Sequence, residues 1–521
     1  MQKCSVCAQA VAIAVAAAAI LATAACGGDQ KSDAATDLGA GDAASSDSGK
    51  PADVSADSEA GAQASGDADA AEAAGAEVTL QDSSADGDTA ASDTTAPDAA
   101  PADGAAPDSG CSKGCDDSNP CTDDSCAGSS CVHIANGASC SDGDPCTEAD
   151  SCSAGSCLGK KQYWIKEFGG SDDGAGQAVA VSGSSIVIVG YSGGGGSGGD
   201  RYSTFTRLDK LGATQSQESY PVVGNDELTA LAANGPGWLA VGTVAQASKT
   251  MESRAVLVDE NGTLIKQVAL GAGELYGVAA VKGGGFLAAG YREDTQGNLQ
   301  LLLMKLTADG AKQWEQLHGT SGFEVAWGLA ALPDGGAVTI GDTAPGGLGP
   351  HLSLQRFDAA GKATWQRTFA DAGQDSGWAV APLIGASDAV EGYVVAGSRQ
   401  EPGATAAKPW LMRADAAGKQ QWQTFVGGGE GGTARAVVVA PAGDHAVAGS
   451  RQTGTKQEFA LWMTTPSGAA KWSQIAGAGQ ARAVALQQDA LVVVGSSASG
   501  AEAGNLKVLR IPLNGPGKCG P

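Results

Sequence analysis

The chain has 521 residues, among them 78 Gly and 13 Cys, and a formal net charge of −26. That acidity excludes nucleic acid as a partner, because phosphate contacts need an excess of Lys and Arg. Aromatic residues begin only at Tyr163. The stretch before it cannot assemble much of a core, so only the C-terminal two thirds is a candidate for a large globular domain.

Residues 1–26 carry one cation, Lys3, then an Ala-rich apolar run ending in small residues and Cys26. The pattern is that of a secretory signal, too short to span a bilayer comfortably. Thr23-Ala24-Ala25-Cys26 resembles the lipobox of bacterial lipoproteins, with Thr23 where an aliphatic residue is usual and Leu21 two positions earlier. The resemblance implies removal of residues 1–25, with Cys4 and Cys7, and a diacylglycerol on the Cys26 thiol. The protein would then be anchored to a lipid membrane rather than spanning it. Gly27 rather than Asp follows the Cys. By resemblance to enterobacterial sorting, that implies the outer membrane or cell surface.

Residues 27–110 consist almost wholly of Ala, Asp, Ser, Gly, Thr and Pro, with 19 Asp and Glu against Lys31 and Lys50, a segment charge of −17. Low hydrophobicity and like charge predict a disordered, extended tether over 26–110. Even as a random coil it separates its ends by roughly 50 Å.

A cysteine-dense module follows over 111–161. Cys115, Cys121, Cys126 and Cys131 form one four-Cys unit, and Cys140, Cys146, Cys152 and Cys157 a second. Asn119-Pro120-Cys121-Thr122 and Asp144-Pro145-Cys146-Thr147 hold the same place in each, so this is an internal repeat. The export signal and the absence of a CxxC pair within the module favour disulfides over zinc. The pattern resembles slime-mould-type Cys-rich repeats, which implies an extracellular module. Cys111 lies outside both units, and Cys519 is the remaining Cys of the mature chain besides Cys26. A Cys111–Cys519 bridge is therefore expected, with other pairings within the module or a free thiol as alternatives. Asp116, Asp117, Asn119, Asp123, Asp124, Asp142, Asp144 and Asp150 offer the oxygen ligands that calcium takes, though acidic surface loops are commoner than calcium sites.

From residue 162 to 521 the sequence repeats with a period of about 50. One mark is a Gly after a short apolar run: Gly190, Gly242, Gly290, Gly341, Gly397, Gly449 and Gly495. A second is a turn ending in Gly: Gly212, Gly262, Gly310, Gly361, Gly418, Gly468 and Gly515. Trp314, Trp365, Trp422 and Trp472 each stand four residues after such a Gly. Each unit holds four strand-length apolar stretches; in the fifth they are 378–383, 393–396, 410–414 and 421–425. Seven such units predict an all-β, seven-bladed β-propeller of four-stranded blades, with an open solenoid as the alternative. Trp164–Gly170 copies the outer-strand pattern of Trp422–Gly428, and the last unit lacks its own copy. The N-terminal strand is therefore expected to complete the last blade, leaving no open edge and a monomeric ring. The turns resemble those of bacterial extracytoplasmic propellers, including quinoprotein-like and assembly-factor propellers. That resemblance covers the fold and implies no site.

Chemistry is sparse in the sequence. His133, His318, His351 and His445 form no HExxH motif and no metal-pair spacing. Ser192 and Ser197 match G-x-S-x-G inside a Gly-rich loop without the strand-to-helix elbow that a nucleophile needs. No cofactor is expected beyond calcium in the module. One periodic position is informative. Before the first apolar strand of each unit stand Gln177, Thr229, Tyr276, Trp327, Trp378, Arg435 and Arg482. At the mouth of a central channel, Tyr276, Trp327, Trp378, Arg435 and Arg482 would suit sugar rings, aromatic peptide groups or carboxylates. Asp173, Asp226, Glu274, Glu324 and Asp375 lie near enough in sequence to pair with the arginines. The plainer alternative makes both Trp residues inter-blade core. Arg292, Arg399 and Arg451 form a second periodic set that solvated hairpin tips explain.

These features predict a surface-anchored, non-enzymatic binding or scaffold protein that presents a ring face to a glycan, peptide or protein. The alternatives are a secreted propeller enzyme, a lyase or hydrolase, and a purely structural envelope component.

Overall fold

The computed structural model describes residues 114–144, 146–169, 174–193, 201–220, 226–245, 251–319, 322–344, 351–369, 374–497 and 504–516. The signal sequence, Cys26, the acidic tether, Asp173, Ser197 and the expected Cys111–Cys519 bridge lie outside the described residues.

The Cys-rich module is two β-hairpins, Thr122–Ala127 with Ser130–Ala135 and Thr147–Ser153 with Ser156–Lys161. Its apolar side chains Val132, Ile134 and Leu158 are exposed, so covalent links replace a core. Cys115–Cys131 and Cys140–Cys157 close equivalent loops in the two units. Cys121–Cys152 ties one unit to the other. Cys126 and Cys146 are also disulfide-bonded. The repeated acids shape the chain. Asp117 Oδ1 accepts from the Asn119 N–H and the Thr122 hydroxyl. Asp142 Oδ1 accepts in the same way from the Asp144 N–H and the Thr147 hydroxyl. Asp124 and Asp150 each accept the N–H of the corresponding turn Asp. The bonds of Asp117 and Asp142 to the N–H two residues on are Asx turns, in which a short carboxylate replaces a backbone acceptor.

The remaining strands form seven four-stranded antiparallel sheets. Six run in chain order from the channel outward. Blade 1, for example, is Gly174–Ser182, Ser185–Gly193, Arg201–Leu208 and Thr214–Tyr220. The seventh takes Gln480–Gln487, Ala490–Ser496 and Leu506–Pro512 from the end of the chain and Trp164–Phe168 from its start. Phe168 pairs with Leu506 and Trp164 with Arg510, so the N-terminal strand closes the last blade as the repeat pattern predicts. The fifth blade's strands are longer than their apolar stretches: Gln374–Ile384, Val390–Gln400, Lys408–Asp415 and Gln420–Phe425. Ladder hydrogen bonds carry each strand into its polar flanks.

Seven hydrophobic clusters hold the ring, one between each pair of neighbouring blades. The middle strands explain their own composition. Leu301 and Leu303 face blade 4, whereas Leu302 and Met304 face blade 2. A strand buried on both faces needs a continuous apolar run, not an alternating one. Full burial of each such side chain contributes about 1.5–3 kcal/mol. The cluster of Val492, Val494 and Val508 with Ile186, Ile188 and Leu208 joins blade 7 to blade 1.

Both glycine marks have a steric cause. The turn Asp358-Ala359-Ala360-Gly361-Lys362 is fixed by Asp358 Oδ1, which accepts the N–H groups of Ala360 and Lys362 at 3.0 and 2.9 Å. Gly361 has φ 78° and sits against the Trp314 ring of the preceding blade. Gly418 lies on Trp365, Gly468 on Trp422 and Gly515 on Trp472 in the same way. A side chain there would be strained and would strike the indole. At the seam, Gly212 of blade 1 rests on Trp164, whose Nε1 donates to the Lys210 carbonyl at 3.0 Å. The ring is therefore closed by the same contact that joins blades 3 to 7 in turn.

Candidate functional site

The other glycine mark creates the site. Each stands on a blade's second strand, opposite a one-residue bulge in the innermost strand. The pairings skip Gln177, Thr229, Tyr276, Trp327, Trp378, Arg435 and Arg482 in turn. A Cβ on any of the seven facing glycines would come within 3.0 Å of an inner-strand carbonyl oxygen, closer than real Cβ atoms come. The bulge pushes that carbonyl across, and only Gly leaves room. A bulge also re-aims the unpaired side chain. All seven bulged residues line one cavity of about 230 Å³. Because the inner strands of neighbouring blades contact each other around the ring, a cavity touched by all seven lies in the central channel.

The periodic position thus lies within the inner strands, in Gly174–Ser182, Asp226–Asn234, Glu274–Ala280, Glu324–Ala331, Gln374–Ile384, Gly431–Val439 and Gln480–Gln487. This corrects its expected placement just before those strands. Apolar content marks where a strand becomes buried, not where its hydrogen-bonded ladder begins.

The site is asymmetric. Tyr276 meets Trp327 edge-on at 4.9 Å between centroids, and Trp327 meets Trp378 at 5.4 Å. Arg435 lies over the Trp378 ring at 4.0 Å. Trp378 is 8% exposed, and the other six bulged residues are partly buried. The aromatic residues therefore both pack against one another and border the cavity, combining the two alternatives read from the sequence. Gln177 Nε2 donates to Glu227. The Thr229 hydroxyl donates to the Leu275 carbonyl of the next blade at 2.5 Å. Burial pulls the Arg435 guanidinium down to about 9, and the charge of Arg482 acts in the same direction.

The nearby acids turn to partners within their own blades. Asp226 pairs with Arg254, Glu274 accepts from the hydroxyls of Tyr276 and Tyr291, and Asp375 lies 3.5 Å from Arg399. The second arginine set is likewise engaged. Arg292 grips Glu315 through two hydrogen bonds of 2.8 and 3.0 Å, and Arg451 pairs with Glu458 and Glu430. Ser192 lies in an antiparallel strand opposite Gly174 and Tyr202, not on an elbow. The histidines are dispersed. His133 bonds Asp124 at 2.7 Å in the module, His318 packs on Phe357, and buried His445 bonds Thr464.

A supporting position escaped the sequence reading: the residue after each bulge-facing glycine. Tyr291 stacks on Tyr276 at 6.1 Å, Asp342 accepts the Trp327 indole N–H at 2.8 Å, and the Ser398 hydroxyl receives that of Trp378 at 3.5 Å. Burial raises the Asp342 carboxyl to about 7. The available signal was the offset itself, since Gly290, Gly341 and Gly397 are each followed by a residue able to hold the neighbouring ring side chain.

No family model matches the chain, and no curated protein does. Solved structures do. The β-propeller domain of Myceliophteria thermophila Cps50 (Swd1) is 12% identical over 67% of this chain and 99% of its own, with a TM-score of 0.42. The Neurospora crassa Pan2 WD40 domain is 12% identical over 65% and 89%, TM-score 0.42. YCF48 bound to D1 peptide is 12% identical over 68% and 96%, TM-score 0.40. At such identities the likeness is one of fold alone: residues 164–512 form a seven-bladed β-propeller.

Proposed function

We propose that this is a surface-anchored binding protein whose propeller takes a ligand in the central cavity and performs no catalysis. One observation carries the reading. The positions that build the ring repeat faithfully: the bulge glycine, the turn glycine and, in most blades, the outer-strand Trp. The position that the bulge turns into the channel does not. It reads Gln, Thr, Tyr, Trp, Trp, Arg, Arg around the ring. Stability alone would accept one good residue seven times, whereas a graded aromatic-to-cationic wall suits recognition. The lipobox-like Cys26 and the acidic tether support display away from an outer membrane or cell surface. In this reading the disulfide-linked module separates tether from ring.

The test is a binding screen of cell-envelope glycans and peptides on the full-length protein in detergent, with and without calcium, beside a Trp327→Ala/Trp378→Ala variant. Binding without turnover that disappears in the folded variant is the expected result. Equal binding by the variant refutes the site. Product formation would favour the secreted enzyme, and no ligand at all would favour a structural envelope component.

A further inference from the structure

Accepting the cavity as the binding site, its wall constrains what enters. We infer that the ligand is an anion on a ring-sized body, its oxyanion held by Arg435 and Arg482 and its body set on the flank of Gly277, Gly328 and Ala379 between the aromatic side chains. Arg435 and Arg482 occupy adjacent blades and line one cavity of about 230 Å³. At roughly 30 Å³ per water, that volume holds about eight waters. It has room for one ring-sized group.

Two guanidiniums in so small a space repel each other, and burial of Arg435 strengthens the repulsion. A bound oxyanion turns that repulsion into attraction, and guanidinium forks match carboxylate and phosphate oxygens through paired N–H donors. The Trp378 stack fixes one guanidinium in advance. The Arg435 guanidinium carbon lies 4.0 Å from the centroid of the Trp378 ring, a cation–π contact that holds its position. Pre-ordering of this kind lowers the entropy lost on binding.

The aromatic half of the wall argues against a neutral sugar as the principal ligand. A sugar platform needs an open ring face. Here Arg435 covers Trp378, while Tyr276 and Trp378 both pack on Trp327. What remains is an apolar flank with Gly277, Gly328 and Ala379 between the large side chains. Such a flank accommodates the body of a ligand, while the charged end selects it.

The experiment compares four probes by tryptophan fluorescence and calorimetry on full-length protein: glucose, glucuronate, glucose 6-phosphate and hippurate. The first three share one body and differ in headgroup; hippurate keeps a carboxylate and changes the body. Anionic probes should bind and glucose should not, and the stronger headgroup identifies carboxylate or phosphate. Arg482→Gln and Arg435→Gln should each weaken the anion by about tenfold or more, with part of the loss restored by Arg→Lys. Thermal unfolding shows whether each variant is folded. Should Arg435→Gln disturb the Trp378 stack, Arg482→Gln decides alone. Glucose binding as well as glucuronate overturns the inference and leaves the cavity as a site. Silence from all four probes up to about 10 mM also overturns it. The cavity then stands or falls on the wider screen.

Discussion

Gly341→Ala tests the link between the repeat glycine and the site. Gly341 pairs with Ala326 at the blade 4 bulge, and the added methyl would fall within 3.0 Å of the Val325 carbonyl oxygen. That oxygen is main chain in a paired strand and cannot swing aside as a flexible side chain would. Either the strands part, losing ladder hydrogen bonds at about 1 kcal/mol each, or the core absorbs overpacking at about 1–3 kcal/mol. With a few ladder bonds lost, or at the upper end of the overpacking range, either route gives a loss of about 3 kcal/mol. For a domain of this size that lowers the melting temperature by about 3–6 °C. Relief of the clash by flattening the bulge would shift the inner strand by one residue and turn Trp327 out of the cavity. Gly341→Ala should therefore lose both stability and ligand binding, whereas Trp327→Ala should mainly lose binding. Gly431→Ala is the control, because its nearest contact would be an ordinary 3.4 Å to the Gln452 side chain. Thermal unfolding by circular dichroism, with tryptophan emission for the site, reads both effects. If Gly341→Ala melts with Gly431→Ala and keeps the wild-type emission, the steric account of the repeat glycine is wrong.

Three further outcomes follow from the same geometry. Trp164→Ala removes the indole that packs on Gly212 and bonds Lys210 across the seam. It should cost about 3–5 kcal/mol, and amide exchange should speed up in blades 7 and 1 while blade 4 keeps its protection. Burial holds the Asp342 carboxyl near 7 in the folded protein, against about 4 in the unfolded chain. Between those pH values the unfolded state releases its proton and the folded state does not. Stability should then fall by about 4 kcal/mol as pH rises from about 4 to 7, and Asp342→Asn should remove that slope in pH-dependent melts. Cys121–Cys152 spans 31 residues. Replacing both with Ser should destabilise the module by about 3–4 kcal/mol on the loop-entropy model, with a normal melt of the propeller; peptide mapping of the intact protein should recover the Cys121–Cys152 pair.

Periodic features were legible without coordinates. Seven glycine marks spaced by about one blade, four apolar stretches per unit and a stray outer-strand copy at Trp164 were enough to count blades and close the ring, because closure needs only matching ladders and a missing strand. The residues facing the channel were legible too, since a bulge recurs at a fixed offset. Their depth was not: Trp327 and Arg435 lie inside strands whose polar ends carry no hydrophobic signal. The acids near the ring read equally well as partners for Arg435 and Arg482, and three-dimensional placement gave Asp226 to Arg254 and Asp375 to Arg399.

By itself, the sequence determined that this is a ring of seven blades with one non-repeating residue per blade at a common offset. It did so because each blade must solve the same packing problem and leaves the same residues as the answer. Tertiary structure alone decided why those glycines are required, that Cys121 crosses to Cys152, and that Asp342 and Ser398 brace Trp327 and Trp378. These are relations between residues on different strands, and linear spacing does not encode which carbonyl, thiol or indole arrives opposite which.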